Sequence, residues 1–477
     1  MATAQDTGRL ATHPAQLSQA LALQRQSFAA APDPGLAVRR ERLARLRRLL
    51  REHGAGMRDA IAADFGMRSS EETELFELFT SLEGISHARA RLRRWMRAER
   101  RPVAWWSRPG HARLLRQPLG VVGIIVPWNY PLYLAVSPLT AALAAGNRAM
   151  LKMSEHTPRF GALLESAVSR SFAPEEVLVV NGDVTVARAF AALPFDHLLF
   201  TGSSGVGREV MKAASANLTP VTLELGGKSP AIVTGGFDID ECARRIMHGK
   251  LINAGQTCVA PDYALVPVAL VNRFIEACRE ATRAFYPVLG TNPQFTSIAS
   301  ERHFKRLSAY VDDAQDLGAS IHRLHNEGSD AERRRLSPVA LTDVTDSMRV
   351  MQEEIFGPIL PVVGYESIDE AIAYVNARPR PLALYYFGAR DGDLEAVLAR
   401  TVSGGVTVNN TALHVLQESL PFGGVGPSGM GEYHGRAGFD RFSKLKPVFI
   451  DGRLSTSALL RPPYGRAFRA ILRLLGK

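Results

Sequence analysis

Between residues 120 and 225 the sequence alternates between short apolar runs and helix-forming segments, and this alternation constrains the fold more than any other feature. Short apolar runs bounded by turn residues predict buried strands. The predicted strands are 120–126, 148–152, 177–180, 197–201 and 221–225, and the predicted helices are 139–145, 158–171, 184–192 and 206–215. Helical crossovers of this length join parallel strands, so the segment predicts a doubly wound α/β sheet.

A second alternation follows residue 232 and predicts a second α/β domain. Its predicted strands are 263–266, 338–341 and 406–409, and its predicted helices are 239–251, 271–285 and 301–317. The chain has 477 residues, of which 46% are hydrophobic, and this length is sufficient for two or three domains with their own cores.

The N-terminal region is predicted to be helical after a loosely ordered start over residues 1–20. Leu36, Leu43, Leu50 and Met57 recur every seven residues and mark one apolar helix face. Arginines crowd the other positions of this helix. We interpret them as a solvated face whose aliphatic stems cover the core stripe, because no aromatic platform or zinc pattern accompanies them. Nucleic-acid binding is the alternative interpretation.

Two further segments predict contacts outside the two α/β regions. Residues 103–117 combine Trp105, Trp106 and Pro109 with an alternating run, which predicts a strand-turn-strand excursion. This excursion either carries subunit contacts or is a plain surface hairpin. Residues 461–477 are basic and amphipathic, and we predict that they pack on their own subunit or on a neighbour. Contact with an anionic membrane surface is the alternative.

The overall composition narrows the classes of function. The net charge of +10 permits nucleic-acid or membrane binding, and it suits equally an enzyme with a phosphate-bearing cofactor. Cys242, Cys258 and Cys278 have no paired spacing, so we expect no disulfide framework and a reducing, cytoplasmic location. Residues 1–16 lack the apolar core of a secretory signal, and no apolar run is long enough for a membrane span. No cluster has metal-ligand spacing, so we expect no metal.

Three residues are candidates for catalysis. Cys258 closes the segment Gly-Gln-Thr-Cys at 255–258 and is a candidate nucleophile, although a lone cysteine is more commonly a small buried hydrophobe. Glu224 ends an apolar strand before two glycines, where a desolvated carboxylate with a raised pKa can act as a general base. A salt-bridged structural carboxylate is the alternative. Asn129 lies between aromatic residues flanked by prolines, which hold its amide as a donor for an oxyanion.

Other residues suggest a nucleotide site. Gly202, Ser203 and Gly207 lie where a strand turns into a helix, and glycines there let the backbone approach a phosphate. The spacing matches neither the Rossmann fingerprint nor a P-loop, so this signal alone is weak. Lys152 ends another strand and Glu155 follows it, at the sheet edge where ribose hydroxyls bind in open α/β sheets. A surface ion pair is the alternative.

Taken in order, these segments resemble the aldehyde dehydrogenase superfamily over nearly the whole chain. The motifs that carry the resemblance are Pro-Trp-Asn-Tyr-Pro at 127–131, Phe-Thr-Gly-Ser at 200–203, Leu-Glu-Leu-Gly-Gly-Lys at 223–228, Gly-Gln-Thr-Cys at 255–258, Glu-Glu-Ile-Phe-Gly-Pro at 353–358 and Pro-Phe-Gly-Gly at 421–424. Ala-Pro-Asp-Tyr at 260–263 and Gly-Val-Gly-Pro-Ser-Gly-Met-Gly at 424–431 resemble the coniferyl-aldehyde dehydrogenase group, near the class 3 and fatty aldehyde enzymes.

The resemblance implies a role for each matching residue. Cys258 matches the catalytic nucleophile, Glu224 the general base and Asn129 the oxyanion-hole amide. The residues that match cofactor contacts are Lys152, Glu155, Gly202, Ser203, Gly207, Trp128, Glu354 and Phe356, and those that match the substrate tunnel are Tyr130, Leu134 and Phe422. Ser137 stands where some relatives carry a tunnel tryptophan, which implies a wider or differently shaped tunnel.

The resemblance also implies the architecture: a Rossmann-type cofactor domain, an α/β catalytic domain and a small β oligomerisation arm. The expected divisions are a helical part of the cofactor domain over 1–100, the arm over 101–118, the NAD(P)-binding domain over 119–226, the catalytic domain over 227–425, and a C-terminal oligomerisation strand with a basic tail over 426–477. The expected assembly is a homodimer.

The expected activity is NAD(P)-dependent oxidation of an aldehyde to a carboxylic acid through a cysteine thiohemiacetal and thioester. Glu155 would repel a 2′-phosphate, so NAD is favoured and NADP is the alternative. The expected substrate is an aromatic or α,β-unsaturated aldehyde such as coniferyl aldehyde, and the alternative is a medium- or long-chain aliphatic aldehyde. Other functions left open are acylation of coenzyme A, which Glu224 disfavours, ester hydrolysis without a cofactor, and non-enzymatic binding of membranes or nucleic acid.

Overall fold

The computed structural model describes residues 14–453 and 461–475. Their α-helices are α1 Pro14–Ala30, α2 Leu36–Phe65, α3 Ser70–Thr73, α4 Thr80–Trp95, α5 Tyr133–Ala145, α6 Pro158–Ser171, α7 Val184–Ala191, α8 Ser204–Ser215, α9 Ile239–Leu251, α10 Val271–Phe285, α11 Glu301–Asp316, α12 Arg349–Gln352, α13 Ile368–Asn376, α14 Gly392–Arg400, α15 Gly435–Arg441 and α16 Arg466–Leu475. A π-helix, Glu74–Phe79, joins α3 to α4.

The strands belong to three sheets. They are β1 Glu99–Arg101, β2 His111–Pro118, β3 Val121–Ile125, β4 Arg148–Lys152, β5 Val177–Val180, β6 His197–Thr201, β7 Val221–Glu224, β8 Pro230–Val233, β9 Tyr263–Pro267, β10 Ser320–Arg323, β11 Val339–Thr342, β12 Ile359–Tyr365, β13 Ala383–Phe387, β14 Gly405–Val408, β15 Gly429–Met430 and β16 Ser443–Ile450.

The first sheet has the order β15-β7-β6-β3-β4-β5, and all neighbours are parallel except β15 and β7. The order reverses between β3 and β6, which is the topology of a doubly wound nucleotide-binding sheet. The strands and helices predicted here are confirmed. The largest difference is that α5 begins at Tyr133 and contains Pro138, whereas the sequence suggested a start at 139. A proline inside a helix removes a backbone hydrogen bond, so the pattern indicated a start after it.

The second sheet has the order β10-β11-β12-β9-β8-β13-β14 and is parallel except for the edge strand β10. It confirms the second α/β region. Four of its strands were not predicted from the sequence: the short edge strand β10, and β8, β12 and β13, whose residues are mostly buried. Fully buried strands lack the polar-apolar alternation that distinguishes a strand from a helix in a sequence.

The third sheet, β1-β2-β16, is antiparallel and lies outside the other two. The excursion predicted over 103–117 is wrong in its first strand, because Trp105–Ser107 forms a 3-10 turn and β2 pairs instead with Glu99–Arg101. β16 pairs with β2 along its whole length, which joins the C-terminal part of the chain to this arm. β15, from the same C-terminal part, completes the first sheet beside Glu224.

The N-terminal part of the chain is more ordered than predicted. Residues 14–20 belong to α1, so the expectation of a loose start is wrong for them, and residues 1–13 lie outside the described residues. Leu17 and Leu21 are buried in the core beneath the first sheet. Burial of these two leucines, one turn apart on the same face of α1, holds the terminal segment in place.

Some arginines of α2 form ion pairs within the chain, whereas Arg40, Arg48 and Arg51 are exposed as predicted. Arg39 lies 2.7 Å from Asp33, and Arg42 and Arg45 share Glu176 at 3.0 and 2.7 Å. Arg39 and Arg42 are buried, not solvated as the sequence suggested. Their charges are matched where α2 packs over the first sheet, so they stabilise the fold.

The tail helix α16 exposes its apolar side chains. Leu472 and Leu474 are 49% and 69% exposed, so the predicted packing of the tail on its own subunit is wrong for these residues. Contact with a neighbouring subunit or a membrane surface stays a prediction. Across residues 14–453 and 461–475, no helix has the length and apolar character needed to cross a membrane.

Candidate active site

The candidate active site lies where neighbouring parallel strands of the first sheet end. β3 leads to Trp128 and Asn129, β6 leads to Gly202, and β7 ends at Glu224. Parallel strands end at the same edge of a sheet, so these residues meet there. Cys258 lies in the connection between α9 and β9, two elements of the second α/β region. The candidate residues therefore come from both regions.

Backbone strain is concentrated immediately before Cys258. Asn253, Ala254 and Gly255 have φ angles of 53°, 52° and 77°, all in the left-handed region. Gly255 admits no side chain, because a Cβ there would lie 2.4 Å from the carbonyl oxygen of Gly357. Such conformations persist only where surrounding contacts enforce them, and they cluster at functional sites.

Hydrogen bonds join the loop of Asn129 to the loop of Cys258. Asn129 Nδ2 donates to the carbonyl oxygen of Gln256 at 3.2 Å, and Asn253 Nδ2 donates to the carbonyl oxygen of Asn129 at 3.1 Å. The hydroxyls of Tyr130 and Thr257 are 2.8 Å apart. The side-chain amide of Asn129 is therefore held beside the backbone that carries the cysteine.

The surroundings of Cys258 favour the protonated thiol. Burial, followed by the negative charges of Glu354 and Glu224, raises the pKa of this half-buried thiol to about 12. The backbone amides of Cys258 and Val259 act in the opposite direction. Removal of a neighbouring negative charge would therefore increase the thiolate fraction.

Glu224 is a buried carboxyl group whose hydrogen-bonding capacity is unused. It is 2% exposed, and within the described residues neither carboxylate oxygen has a hydrogen-bond partner. Burial, with a contribution from Glu432, raises its pKa well above the usual range, against the opposing charge of Arg441. Buried polar groups without a partner are rare and are often completed by a ligand or a water molecule.

Glu354 packs against the glycine pair that follows β7. A Cβ at Gly226 would lie 2.1 Å from Glu354 Oε2, so the carboxylate requires a glycine there. Burial and the charge of Asp262 raise the pKa of Glu354 to about 8. Arg306 fixes the adjacent backbone by donating to the carbonyl oxygen of Glu354 at 3.2 Å. This carboxylate therefore changes charge within the range in which enzymes are assayed.

We expect iodoacetamide to alkylate Cys258 at lower pH in a Glu354→Gln variant than in the wild type. Above pH of about 8 the wild-type carboxylate is ionised and raises the thiol pKa, and glutamine removes that charge. Cys242 and Cys278 are fully buried and will not compete. The measurement is the rate of modification against pH, with peptide mass identifying the site. Glu353→Gln, an exposed neighbour, is the control, and an unchanged or higher midpoint in Glu354→Gln would contradict the prediction.

The Gly202 turn connects β6 directly to α8. Ser203 caps this helix, and its hydroxyl accepts from the amide of Val206 at 3.5 Å. A Cβ at Gly207 would lie 2.7 Å from the Leu225 side chain, so this glycine allows close packing of helix and sheet. The first-turn amides and the helix dipole favour a bound anion at this edge.

Lys152 and Glu155 lie at the same edge and differ in their surroundings. Lys152 is buried, and its amino group donates to the carbonyl oxygens of Met153 at 2.7 Å and Gly182 at 2.8 Å. An ammonium group has three donors, so one remains for a ligand hydroxyl. Glu155 is exposed three residues later.

Trp128 and Phe356 belong to one aromatic cluster. The ring of Trp128 stacks on His303 at 5.0 Å and meets Phe356 edge-on at 5.5 Å. Phe356 has a φ of 55°, a strained value for a bulky residue. The sequence does not identify His303 as part of this cluster, because a single histidine in a helix has no motif or spacing that distinguishes it from a surface residue.

An apolar pocket reaches Cys258. Its space, including the open mouth, is about 680 Å³. The predicted tunnel residues Tyr130, Leu134 and Phe422 all line it. The remaining lining residues are Phe76, Tyr133, Gly249, Ile252, Thr257, Val259, Ala412, Val415 and Leu416. The pocket therefore offers mostly hydrocarbon and aromatic surface to a ligand.

Two details of the pocket differ from the sequence analysis. Ser137 lines a smaller cavity that shares Tyr133 as a wall, so it does not shape the main pocket directly. Phe76 lines the main pocket from the π-helix, and no sequence period marks such a segment.

Within the described ranges, no group of three or more His, Cys, Asp or Glu side chains is placed to hold a metal ion.

Comparisons with known proteins show the family of this chain. A model of the "Aldehyde dehydrogenase family" matches residues 5–448. A "Probable coniferyl aldehyde dehydrogenase" from Pseudomonas aeruginosa is 51% identical and aligns over 96% of this chain and 95% of its own length. "Aldehyde dehydrogenase family 3 member A2" from Mus musculus is 39% identical, over 92% of this chain and 90% of its own.

Solved structures give the same result. The substrate-bound state of AldH from Staphylococcus aureus has a TM-score of 0.91 at 36% identity, covering 96% of this chain and 99% of that one. The Mycobacterium tuberculosis aldehyde dehydrogenase complexed with NAD+ has a TM-score of 0.83 at 28% identity, covering 93% and 91%. The resemblance inferred from the motifs is confirmed, and this chain belongs to the aldehyde dehydrogenase family.

Proposed function

We propose that this protein oxidises an aldehyde to a carboxylic acid, with NAD as the hydride acceptor, Cys258 as nucleophile, Glu224 as general base and Asn129 as oxyanion donor. The observation that carries the proposal is the apolar pocket that reaches Cys258, within electrostatic range of a buried carboxyl group that has no described protein partner. An aldehyde in this pocket would place its carbonyl group at the sulfur.

Cys258 Sγ releases its proton to solvent, attacks the carbonyl carbon as a thiolate and forms a thiohemiacetal. The carbonyl oxygen gains the negative charge, and Asn129 Nδ2 with the backbone amide of Cys258 stabilises it. The covalent bond matters because an oxyanion on the reacting carbon expels hydride readily, whereas the free aldehyde is a poor hydride donor. Loss of hydride leaves a thioester on Cys258. Glu224 then removes a proton from water, which hydrolyses the thioester to the acid and the free thiol.

The residues at the edge of the first sheet fit a dinucleotide. Lys152 and Glu155 would hold the adenosine ribose, Gly202 and Ser203 the pyrophosphate, with Gly207 letting α8 approach the sheet. Trp128, Glu354 and Phe356 would lie around the nicotinamide end. NAD, when bound there, accepts the hydride. The exposed carboxylate of Glu155 disfavours a 2′-phosphate, so we propose NAD over NADP, and the ratio of kcat/KM for the two cofactors tests this.

We propose an aromatic or α,β-unsaturated aldehyde, such as coniferyl aldehyde, as the substrate. The Pseudomonas aeruginosa relative carries that activity in its name. The aromatic rings of Phe76, Tyr130, Tyr133 and Phe422 line the pocket and would stack on a planar substrate. A medium- or long-chain aliphatic aldehyde is the second candidate, since the rest of the lining is aliphatic. A panel of both classes, assayed by absorbance of NADH, distinguishes the two candidates.

Replacing Phe422 with alanine is expected to raise KM for an aromatic aldehyde by about 5- to 50-fold and to change kcat little. One aromatic contact contributes about 1–2 kcal/mol, and this contact is equal in the ground and transition states. For hexanal, whose chain cannot stack, the increase in KM should be smaller. Steady-state kinetics of the variant and the wild type with both substrates measure the two increases in KM. Phe79→Ala, which changes an exposed phenylalanine that does not line the pocket, is the control. Equal increases for both substrates would remove the argument for an aromatic substrate.

We further propose that the first sheet forms the NAD(P)-binding domain over 119–226, the second the catalytic domain over 227–425, and that the protein is a homodimer. β16 is an edge strand with exposed Leu445 and Phe449, and unprotected apolar edges favour pairing with another chain. Light scattering on the purified protein would give twice the mass of 52.0 kDa if this is correct.

The proposed location is the cytoplasm, because all three cysteines are free. Peripheral contact with an anionic membrane is proposed for α16, whose arginines flank exposed leucines. Cell fractionation and co-sedimentation with anionic vesicles test these two proposals. Recovery of the protein in the membrane fraction after a high-salt wash would contradict both proposals.

A further inference from the structure

A buried arginine connects the N-terminal helices to the loop of Asn129. Arg68 is 2% exposed, and its Nη1 donates to the carbonyl oxygen of Asn129 at 2.6 Å. Its guanidinium lies between the rings of Phe65 and Tyr130, 4.9 and 4.7 Å from their centroids. Asn253 Nδ2 donates to the same carbonyl oxygen, so both acceptor positions of this oxygen are used. The peptide plane of Asn129 is therefore held by two donors from different parts of the chain.

Glu77 holds the other end of the same loop. Its Oε1 lies 3.1 Å from Arg68 Nη2, and both side chains are fully buried. This contact is ionic and not an aligned hydrogen bond, and neither atom has a hydrogen-bond partner among the described residues. Glu77 Oε2 accepts from the backbone amides of Leu132 and Tyr133 at 2.7 and 3.2 Å. The π-helix that contains Glu77 turns this carboxylate inward.

Glu72 connects the same N-terminal segment to the loop of Cys258. Its Oε2 accepts from the backbone amide of Asn253 at 2.9 Å, at the first of the left-handed residues that precede the cysteine. The hydroxyl of Thr296 lies 3.4 Å from the same oxygen. Residues 68–77 thus contact both loops that carry the proposed reacting groups.

We propose that Arg68 is a positioning residue for the oxyanion donor Asn129 and that its ion pair with Glu77 fixes the Asn129 loop for catalysis. The inference rests on the proposed function of Asn129. An oxyanion donor works only when it is preorganised, and displacement by about 1 Å can cost about 10²-fold in rate. Arg68 does not line the substrate pocket, so its effect must pass through Asn129.

This geometry predicts a specific kinetic signature. Loss of the Arg68–Glu77 pair should lower kcat, because the oxyanion forms only after the substrate binds. The Kd for NAD and the KM for the aldehyde should change less than about threefold, because the oxyanion donor acts in the transition state and not in the binding of either ligand. A residue with only a structural role would lower the melting temperature and reduce all parameters together.

The test is a double-mutant cycle that combines Asn129→Ala with the paired substitution Arg68→Met/Glu77→Gln. The paired change avoids a buried unpaired charge, and Arg68→Lys, which keeps the charge without the planar fork, is a second variant if the pair fails to fold. We expect Asn129→Ala to lower kcat by about 10²- to 10³-fold and the Arg68/Glu77 pair by about 10- to 100-fold. When all three changes are combined, the loss should exceed that of Asn129→Ala by less than about threefold. The matched control is Arg58→Met/Glu74→Gln, a pair that joins α2 to the π-helix with a separation of 3.5 Å. Arg58 is partly buried and Glu74 is exposed, and this variant should keep the wild-type kcat.

The outcomes separate this inference from the proposed function. The Arg68/Glu77 substitutions could lower kcat by the same factor in the Asn129→Ala background as in the wild type. In that case Arg68 does not act through Asn129, and the inference is wrong. If the folded Arg68→Lys variant keeps the wild-type kcat, the inference is also wrong. If Asn129→Ala itself keeps the wild-type kcat, the oxyanion role of Asn129 is wrong, and the inference fails with it.

Discussion

A Cys258→Ala variant is expected to form no NADH from any aldehyde, with kcat reduced by more than about 10⁴-fold, the scale of loss that follows removal of a catalytic nucleophile. The remaining cysteines cannot replace it, because Cys242 and Cys278 are fully buried in the core. NAD should bind with unchanged affinity, since the sheet edge that would hold it is intact. Absorbance at 340 nm with saturating NAD and aldehyde measures the loss.

The control is Cys278→Ala, which removes a thiol from the middle of α10 without touching the pocket. It should cost some stability and leave kcat near the wild-type value. Substantial NADH formation by Cys258→Ala would exclude the covalent cycle and would point to direct hydride transfer from a hydrated aldehyde. If the wild type oxidises no aldehyde with either cofactor, the proposed activity is wrong, and binding of membranes or nucleic acid through the basic surfaces becomes the alternative to test.

A Glu224→Gln variant is expected to release about one NADH per active site in a burst and then to turn over about 10²- to 10⁴-fold more slowly than the wild type, the usual contribution of a general base. The burst survives because formation of the thioester requires Cys258 and not the base. Hydrolysis stalls because an amide cannot accept a proton from water. Rapid-mixing absorbance resolves the two phases.

The pH dependence of the wild type follows from the same carboxyl group. Burial raises the pKa of Glu224, so the ionised base becomes more abundant as pH rises, and hydrolysis of the thioester should accelerate with it. Glu432→Gln is the matched control: it removes an exposed charge that raises the pKa of Glu224, so turnover should not fall. A Glu224→Gln variant with full steady-state turnover would mean that another group activates water. Loss of the burst itself would place Glu224 in the first chemical step.

Much of the fold was accessible from the sequence because its signals are local and periodic. The strands and helices between residues 120 and 225 alternate at the spacing of βαβ units, which predicts parallel strands with helical crossovers. Three of the four strands missed in the second sheet are mostly buried, such as Ala383–Phe387, where no alternation remains to be detected. The fourth, Ser320–Arg323, is a short edge strand of four residues. The arm was misread because its first strand, Glu99–Arg101, is three residues long and highly polar. A single pattern of side chains cannot mark so short an element.

The candidate catalytic residues were also accessible, because Cys258, Glu224 and Asn129 each sit in a short motif of unusual composition. The residues that hold them were not. Arg68 lies between two helices and Glu77 lies in the π-helix, and charged residues at such positions are normally exposed. Their burial follows from the packing of the N-terminal helices under both loops, which no local pattern encodes.

The sequence by itself determined the class of fold and the order of most elements, and it supplied the candidates for the reactive groups, since these depend on residue type and spacing along the chain. The tertiary structure alone decided how those groups are held and charged. The raised pKa of Cys258 and Glu224 comes from desolvation and from charges brought close by folding, and the left-handed turn at 253–255 persists because Glu72 and Gly357 constrain it. Desolvation and strain arise only when segments distant in the chain pack together, which is why the structure was required to see them.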